Sequence, residues 1–350
     1  MIVFRILLFP FAVLYDLVTT LRNIFYNRGL KPSAGFDVPV ICVGNLTVGG
    51  TGKTPMIEHL IRLLYTNYKV ATLSRGYGRK TKGFRIASSQ DDAGTLGDEP
   101  AQFHRKFTDR ILVTVGEDRA FAIPNILQEA EDTNVILLDD AYQHRRVKPS
   151  FTILLSDYYR PFYEDFLLPA GRLRESRGNA SRADVVVVTK CPSVISDEER
   201  MDIEQRIRKY TLSPVFFSSI RYGVPVPFGN KQSLSEQVIV ITGIAQAEPF
   251  IKFISAAYAM VKHIELTDHH TYTPDDFKRL QELVAANPAA SIITTEKDMV
   301  KMIDHRFDAE RRELPLFYIP IEVNFLKNGQ DFDAMILNAV TDESKPSEII

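Results

Sequence analysis

Val40-Ile41-Cys42-Val43-Gly44-Asn45-Leu46-Thr47-Val48-Gly49-Gly50-Thr51-Gly52-Lys53-Thr54-Pro55 is an apolar run that stops in a glycine-rich turn and ends in Gly-Lys-Thr. The run reads as a strand, and Ile57, Leu60, Ile61 and Leu64 after it mark one face of a helix. Gly49, Gly50 and Gly52, with Thr47 and Thr51 among them, let backbone N–H groups converge on an anion. Lys53 adds charge for the outer phosphates, and the Thr54 hydroxyl suits Mg²⁺. Thr47 stands where the Walker A pattern has its first glycine, so a strict match fails there. Glycines that serve only a bend are the plain alternative, but strand before and helix after are the context a nucleotide loop requires.

Further apolar runs at Lys69–Ser74, Ile111–Val115, Asn134–Leu138, Phe151–Leu155 and Ala183–Val188 alternate with helical patterns such as Asp118–Glu131. Runs apolar on both faces predict a P-loop NTPase-like, mostly parallel sheet flanked by helices. The run ending at Leu138 delivers Asp139 and Asp140, a Walker B arrangement that faces Mg²⁺ from a strand end. Adjacent aspartates also form plain turns; the phosphate loop upstream favours the metal role, and Gln143 and His144 follow at once. Gly97-Asp98-Glu99-Pro100 opens a helix, where one acid serves either as a cap or in chemistry. Arg75-Gly76-Tyr77-Gly78-Arg79 reads equally as a solvated turn or a sugar-phosphate loop, and the arginine-dense Leu167–Arg177 as a phosphate clamp.

The pattern changes near Ser213-Pro214. Residues 215–241 read as a two-stranded ribbon or hinge between a core domain at 29–214 and a smaller α/β domain at 242–345, while the tail from Thr341 to Ile350 looks frayed. Residues 1–28 stand apart, with an unbroken apolar run from Ile6 to Tyr15 bracketed by Arg5 and Asp16, too short to span a bilayer. A helix in the membrane interface fits best, with Arg5, Arg22, Arg28 and Lys31 toward anionic headgroups. A helix packed in the core and a cleaved or spanning segment are the competing readings.

The 42 basic and 44 acidic side chains leave a net charge of −2, so no global field draws nucleic acid. Cys42 and Cys191 lie at apolar runs without metal-type spacing and read as buried, reduced thiols. Thr189-Lys190-Cys191-Pro192 and Thr295-Glu296-Lys297-Asp298 both miss the guanine signature, which points to ATP.

Taken in order, Val43-Gly44-Asn45, Thr47 to Pro55, Ser74 to Gly78, Gly97 to Pro100, Asp139 to His144, Gly171 to Glu175 and Asp268-His269-His270 resemble the motif set of the tetraacyldisaccharide 4'-kinase (lipid A 4'-kinase) family, over residues 1 to about 330. Ala141-Tyr142 departs from the commoner Gly-Phe. The resemblance implies transfer of the ATP γ-phosphoryl group to the 4'-hydroxyl of a tetraacylated glucosamine disaccharide 1-phosphate, a lipid A precursor, at the cytoplasmic face of the inner membrane; a monomer is expected. It places Lys53 and Thr54 on the phosphates, and Asp139, Asp140 and Gln143 about Mg²⁺. Asp98 and His269 form a pair at the acceptor hydroxyl; Asn45, Arg75, Arg119, Arg174 and Glu175 contact the acceptor. Each keeps a plain reading: Asp98 as a cap, His269 as a structural histidine, Arg174 with Glu175 as a surface pair. A membrane-docked nucleotide switch that positions a protein partner is the alternative from another class, and a soluble small-molecule kinase a third.

Overall fold

β1 (Val40–Asn45) is buried along its whole length, as a strand in the middle of a parallel sheet must be. The structure, a computed structural model, describes residues 2–341, with side chains from Leu7 onward, so the readings of Arg5 and of the tail after Thr341 lie outside the described residues. In chain order β2 (Val70–Ser74), β3 (Arg85–Ile86), β4 (Leu112–Val115), β5 (Val135–Asp139), β6 (Phe151–Asp157), β7 (Val185–Thr189) and β8 (Val215–Tyr222) follow. Then come β9 (Val226–Pro227), β10 (Gln237–Thr242), β11 (Ala259–Glu265), β12 (Ser291–Thr295), β13 (Leu316–Ile319) and β14 (Ile321–Phe325).

They form a nine-stranded sheet, β14-β8-β7-β6-β1-β5-β2-β4-β3, and a five-stranded sheet, β11-β10-β12-β13-β9. Among the described residues only edge strands β14, β3 and β9 run antiparallel to their neighbours. β1 lies between β6 and β5, and its register pairs Val43 with Asp139, which brings the strand before the glycine loop beside the strand that delivers the aspartates. Open parallel sheets gather ligands at such carboxyl ends.

The helix Lys53–Leu64 buries Met56, Ile57, Leu60, Ile61 and Leu64 on this sheet, spaced as one helical face. It starts at Gly52, whose φ of 83° is left-handed, a conformation that costs glycine least. The C-terminal helix Gly329–Thr341 adds Phe332, Ile336 and Val340 to the same core, and His59 meets Asp333 at 2.7 Å.

That packing corrects two boundaries expected from the sequence. The ribbon partner of β8 is β14, with Tyr222 opposite Ile321, whereas β10 lies inside the second sheet. Residues 321–341 therefore return to the first domain, because their apolar side chains complete its core. Gly223 N–H donates to Pro320 O at 2.8 Å where the two connections cross.

The N-terminal helix runs from Ile2 to Asn27, through Asp16, and its stretch Leu7–Asn27 is long and apolar enough to cross a membrane by length and composition alone. The helix thus extends well beyond the apolar run Ile6–Tyr15 that lies between two charges. The core-packing alternative does not hold: Phe9, Phe11, Leu14, Leu17 and Val18 are exposed. The helix is tied to the first domain by Tyr15 Oη donating to Arg174 O (3.0 Å) and Arg22 Nη2 donating to Gln143 O (2.9 Å).

Candidate active site

Asn45, the last residue of β1 and fully buried, organises the loop. Its Nδ2 donates to Thr47 O at 2.7 Å, and its Oδ1 accepts from Lys53 Nζ (3.4 Å) and Arg174 Nη2 (2.9 Å). Thr47 needs no glycine. It forms an antiparallel bridge with Leu173, and left-handed backbone occurs at Gly49 and Gly52 instead. The Thr51 carbonyl accepts from Thr189 Oγ1 at 2.8 Å, and Lys190 Nζ donates to Gly50 O, so the loop is braced from β7.

Lys53 Nζ lies 3.6 Å from Asp140 Oδ1. Arg174 closes on the same carboxylate at 3.0 Å and donates to Gln143 Oε1 at 3.2 Å, while Gln143 Nε2 donates to Asn45 O at 2.9 Å. Burial pushes the Asp140 carboxyl up, but Lys53 and Arg174 outweigh it and hold the group below its usual value. Asp139 is the reverse. Burial first, then the Asp140 and Glu99 charges, push it up to about 7. Asp139 Oδ2 accepts from Ser74 Oγ at 3.3 Å, and its buried Oδ1 has no hydrogen-bond partner.

The acceptor side is assembled from both domains. Asp98 begins the helix Asp98–Lys106 and makes no capping bond; its Oδ2 lies 3.1 Å from His269 Nδ1. Burial raises the Asp98 carboxyl despite Lys301, Lys297 and the contact with His269. Gly97, at φ 94°, lets the loop Arg75–Gly78 sit on this helix start, since a Cβ there would come within 2.9 Å of Tyr77 O. The Tyr77 ring then stands 5.6 Å from that of His269, and Arg75 is exposed beside it. His270 faces the other way, 3.0 Å from Asp276 in a helix start.

Three non-glycine residues around this site, Asp140 (φ 49°), Lys190 (φ 58°) and His269 (φ 58°), have left-handed backbone. Such strain, about 1–3 kcal/mol each, persists where surrounding structure enforces it, as at ligand sites.

Two expected acceptor contacts turn inward. Arg119 is 2% exposed and donates to Gly116 O (2.7 Å) and Asp139 O (3.3 Å), backing the acidic pair from below. Glu175 is 1% exposed and pairs with Arg182, so the surface pair of Arg174 with Glu175 does not form. Both turn away because each buried charge has an internal partner, the Gly116 and Asp139 carbonyls for Arg119 and Arg182 for Glu175. The departure at Tyr142 is accommodated: its hydroxyl donates to Asn179 O at 2.6 Å under Arg182. Cys42 and Cys191 are free and buried, and burial pushes both thiols up to about 12.

Sequence reasoning passed over Lys190 and Lys297 as residues of the site. Both lie in the near misses to the guanine signature, so a signal was present but was judged only against base recognition.

A glycine loop after a central parallel strand, with a lysine facing aspartates of the adjacent strand, defines a P-loop nucleotide-binding protein of the α/β class. Residues 4–341 match the family described as Tetraacyldisaccharide-1-P 4'-kinase, and the chain belongs to that family. It is 42% identical over 348 residues to the tetraacyldisaccharide 4'-kinase of Flavobacterium johnsoniae, covering 98% of this chain and 99% of the relative. The Bacteroides thetaiotaomicron tetraacyldisaccharide 4'-kinase is 40% identical, covering 97% and 94%. The crystal structure of the "apo" form of LpxK from Aquifex aeolicus in complex with ATP is similar with a TM-score of 0.74 and 27% identity, covering 96% of this chain and 99% of that one.

Proposed function

We infer that this chain acts as its family does, transferring the ATP γ-phosphoryl group to the 4'-hydroxyl of a tetraacylated glucosamine disaccharide 1-phosphate in lipid A synthesis. The observation that carries the reading is the meeting of Asp98 and His269, from different domains, at the domain that holds the Lys53–Asp140 ion pair. Asp98 takes the proton of the acceptor hydroxyl as that oxygen bonds to the γ-phosphorus. The bond from this phosphorus to the β–γ bridging oxygen breaks, and ADP leaves with its electron pair. His269 orients the carboxylate. Lys53 leaves Asp140 for the phosphates, and positioning with charge neutralisation supplies most of the rate.

The donor set fits one Mg²⁺: the unpartnered Asp139 Oδ1, the Gln143 amide oxygen and the Thr54 hydroxyl. An ion held by these groups would supply positive charge that offsets the charge of the phosphates. Asn45, Arg75 and Arg174 serve the acceptor headgroup, whereas Arg119 and Glu175 support the site from within. The exposed apolar face of the N-terminal helix rests on the cytoplasmic side of the inner membrane, where ATP and an acylated sugar meet, and one copy of the chain suffices.

The test is incubation of the purified protein with γ-labelled ATP and a total lipid extract. Label in a disaccharide lipid is the expected result; label in free phosphate alone would replace the kinase with a nucleotide switch.

A further inference from the structure

Lys297 occupies the second position after β12, on the short helix Glu296–Met302 of the second domain. Its ammonium lies 3.2 Å from His269 Nε2, on the ring edge opposite the Asp98 contact. Glu99 Oε1 at 3.6 Å and Asp268 Oδ1 at 3.7 Å hold the ammonium in place. Lys301, one turn further along, is taken by Asp298 at 2.9 Å, so the two lysines of this helix have different partners.

We propose that Lys297 is a positioning residue for the phosphoryl transfer: it fixes the tautomer of His269 and thereby leaves Asp98 as the group that receives the acceptor's proton. The inference rests on the reading of Asp98 and His269 as a working pair. An ammonium has donors only, and a neutral imidazole has one donor and one acceptor nitrogen. With the ammonium at Nε2, that nitrogen accepts, and the ring proton is on Nδ1. Nδ1–H then donates to Asp98 Oδ2 at 3.1 Å, and the other carboxylate oxygen stays open to the sugar hydroxyl. A second ring proton would point an N–H at the ammonium. Without Lys297, Asp268 Oδ2, which lies 3.9 Å from Nε2, is left as an acceptor for a ring proton there, in competition with Asp98 at Nδ1.

The placement also ties chemistry to domain closure. Lys297 and His269 belong to the second domain and Asp98 and Glu99 to the first, so the ring and its lysine are presented to Asp98 together when the halves meet.

The experiment uses the full chain with ¹⁵N-labelled histidine, His269 being assigned by the resonances lost in His269→Gln. In the parent, Nδ1 is expected to be protonated and Nε2 bare. In Lys297→Met a proton should appear on Nε2, and kcat should fall about 10- to 100-fold with KM for ATP unchanged, the range seen where partners that orient metal-bound histidines are lost. Lys297→Arg, which still donates, should restore the tautomer and most of kcat. An unchanged ring spectrum in Lys297→Met overturns the proposal, and so does a changed spectrum with kcat intact while Asp98→Asn is inactive. If Asp98→Asn itself kept full turnover, the pair would be idle and the proposal would fall with it.

Discussion

His269 Nδ1 lies 3.1 Å from Asp98 Oδ2, 171 positions away in sequence, and the contact exists because the second domain folds back on the first. Met299 and Val300 of one unit pack with Leu96 and Ala101 of the other, and Lys106 bridges Glu58 and Glu296 at 2.7 Å each. The pair is thus a product of the contact between the two units, and its disruption should be felt in turnover before it is felt in nucleotide binding.

Asp98→Asn should lower kcat about 10²- to 10⁴-fold, the usual contribution of a positioned base, with ATP affinity unchanged. Turnover assays and calorimetric titration of ATP check this. The acidic limb of the parent's pH–rate profile should lie above the ordinary aspartate value of 3.8, because burial raises this carboxyl.

Chelation of Mg²⁺ should abolish transfer, and Asp139→Asn should raise the Mg²⁺ concentration needed for half-maximal rate about tenfold or more, since the unpartnered Oδ1 is lost as an anionic ligand. Equal Mg²⁺ dependence in parent and variant would remove Asp139 from the ligand set.

Glu296 carries a pH prediction for stability. Burial first, then the neighbouring Glu58, push its carboxyl from 4.5 up to about 7. Between these values the folded chain keeps a proton that the unfolded chain releases, so this group's contribution is full below about pH 4.5 and is lost as pH rises through about 7. The slope should reach about 1.4 kcal/mol per pH unit at most. Urea melts of the parent and Glu296→Gln across pH 4.5–7.5 should show that slope flattened in the variant.

Val13→Glu with Leu17→Glu places two charges on the exposed face of the N-terminal helix, opposite the Tyr15 and Arg22 anchors. Cosedimentation with anionic vesicles should fall at least tenfold, as expected from losing about 1.5–3 kcal/mol of burial per large apolar side chain. ATP affinity should not change. Retained vesicle binding would mean that the face serves something other than a bilayer.

Much of this was legible in the linear chain because it depends on local pattern. The phosphate loop, the acids closing β5 and the alternation of β and α follow from residues near one another, whose side-chain periodicity reports burial directly. Tertiary structure alone decided the rest, since each outcome turned on a partner distant in sequence. Thr47 tolerates its place because Leu173 pairs with it, Arg119 and Glu175 turn inward to buried partners, and His269, not His270, meets Asp98. Residues 321–341 joined the first domain because Phe332 and Ile336 had a core there to complete. A one-dimensional pattern states which faces must be buried; only the folded chain states against what.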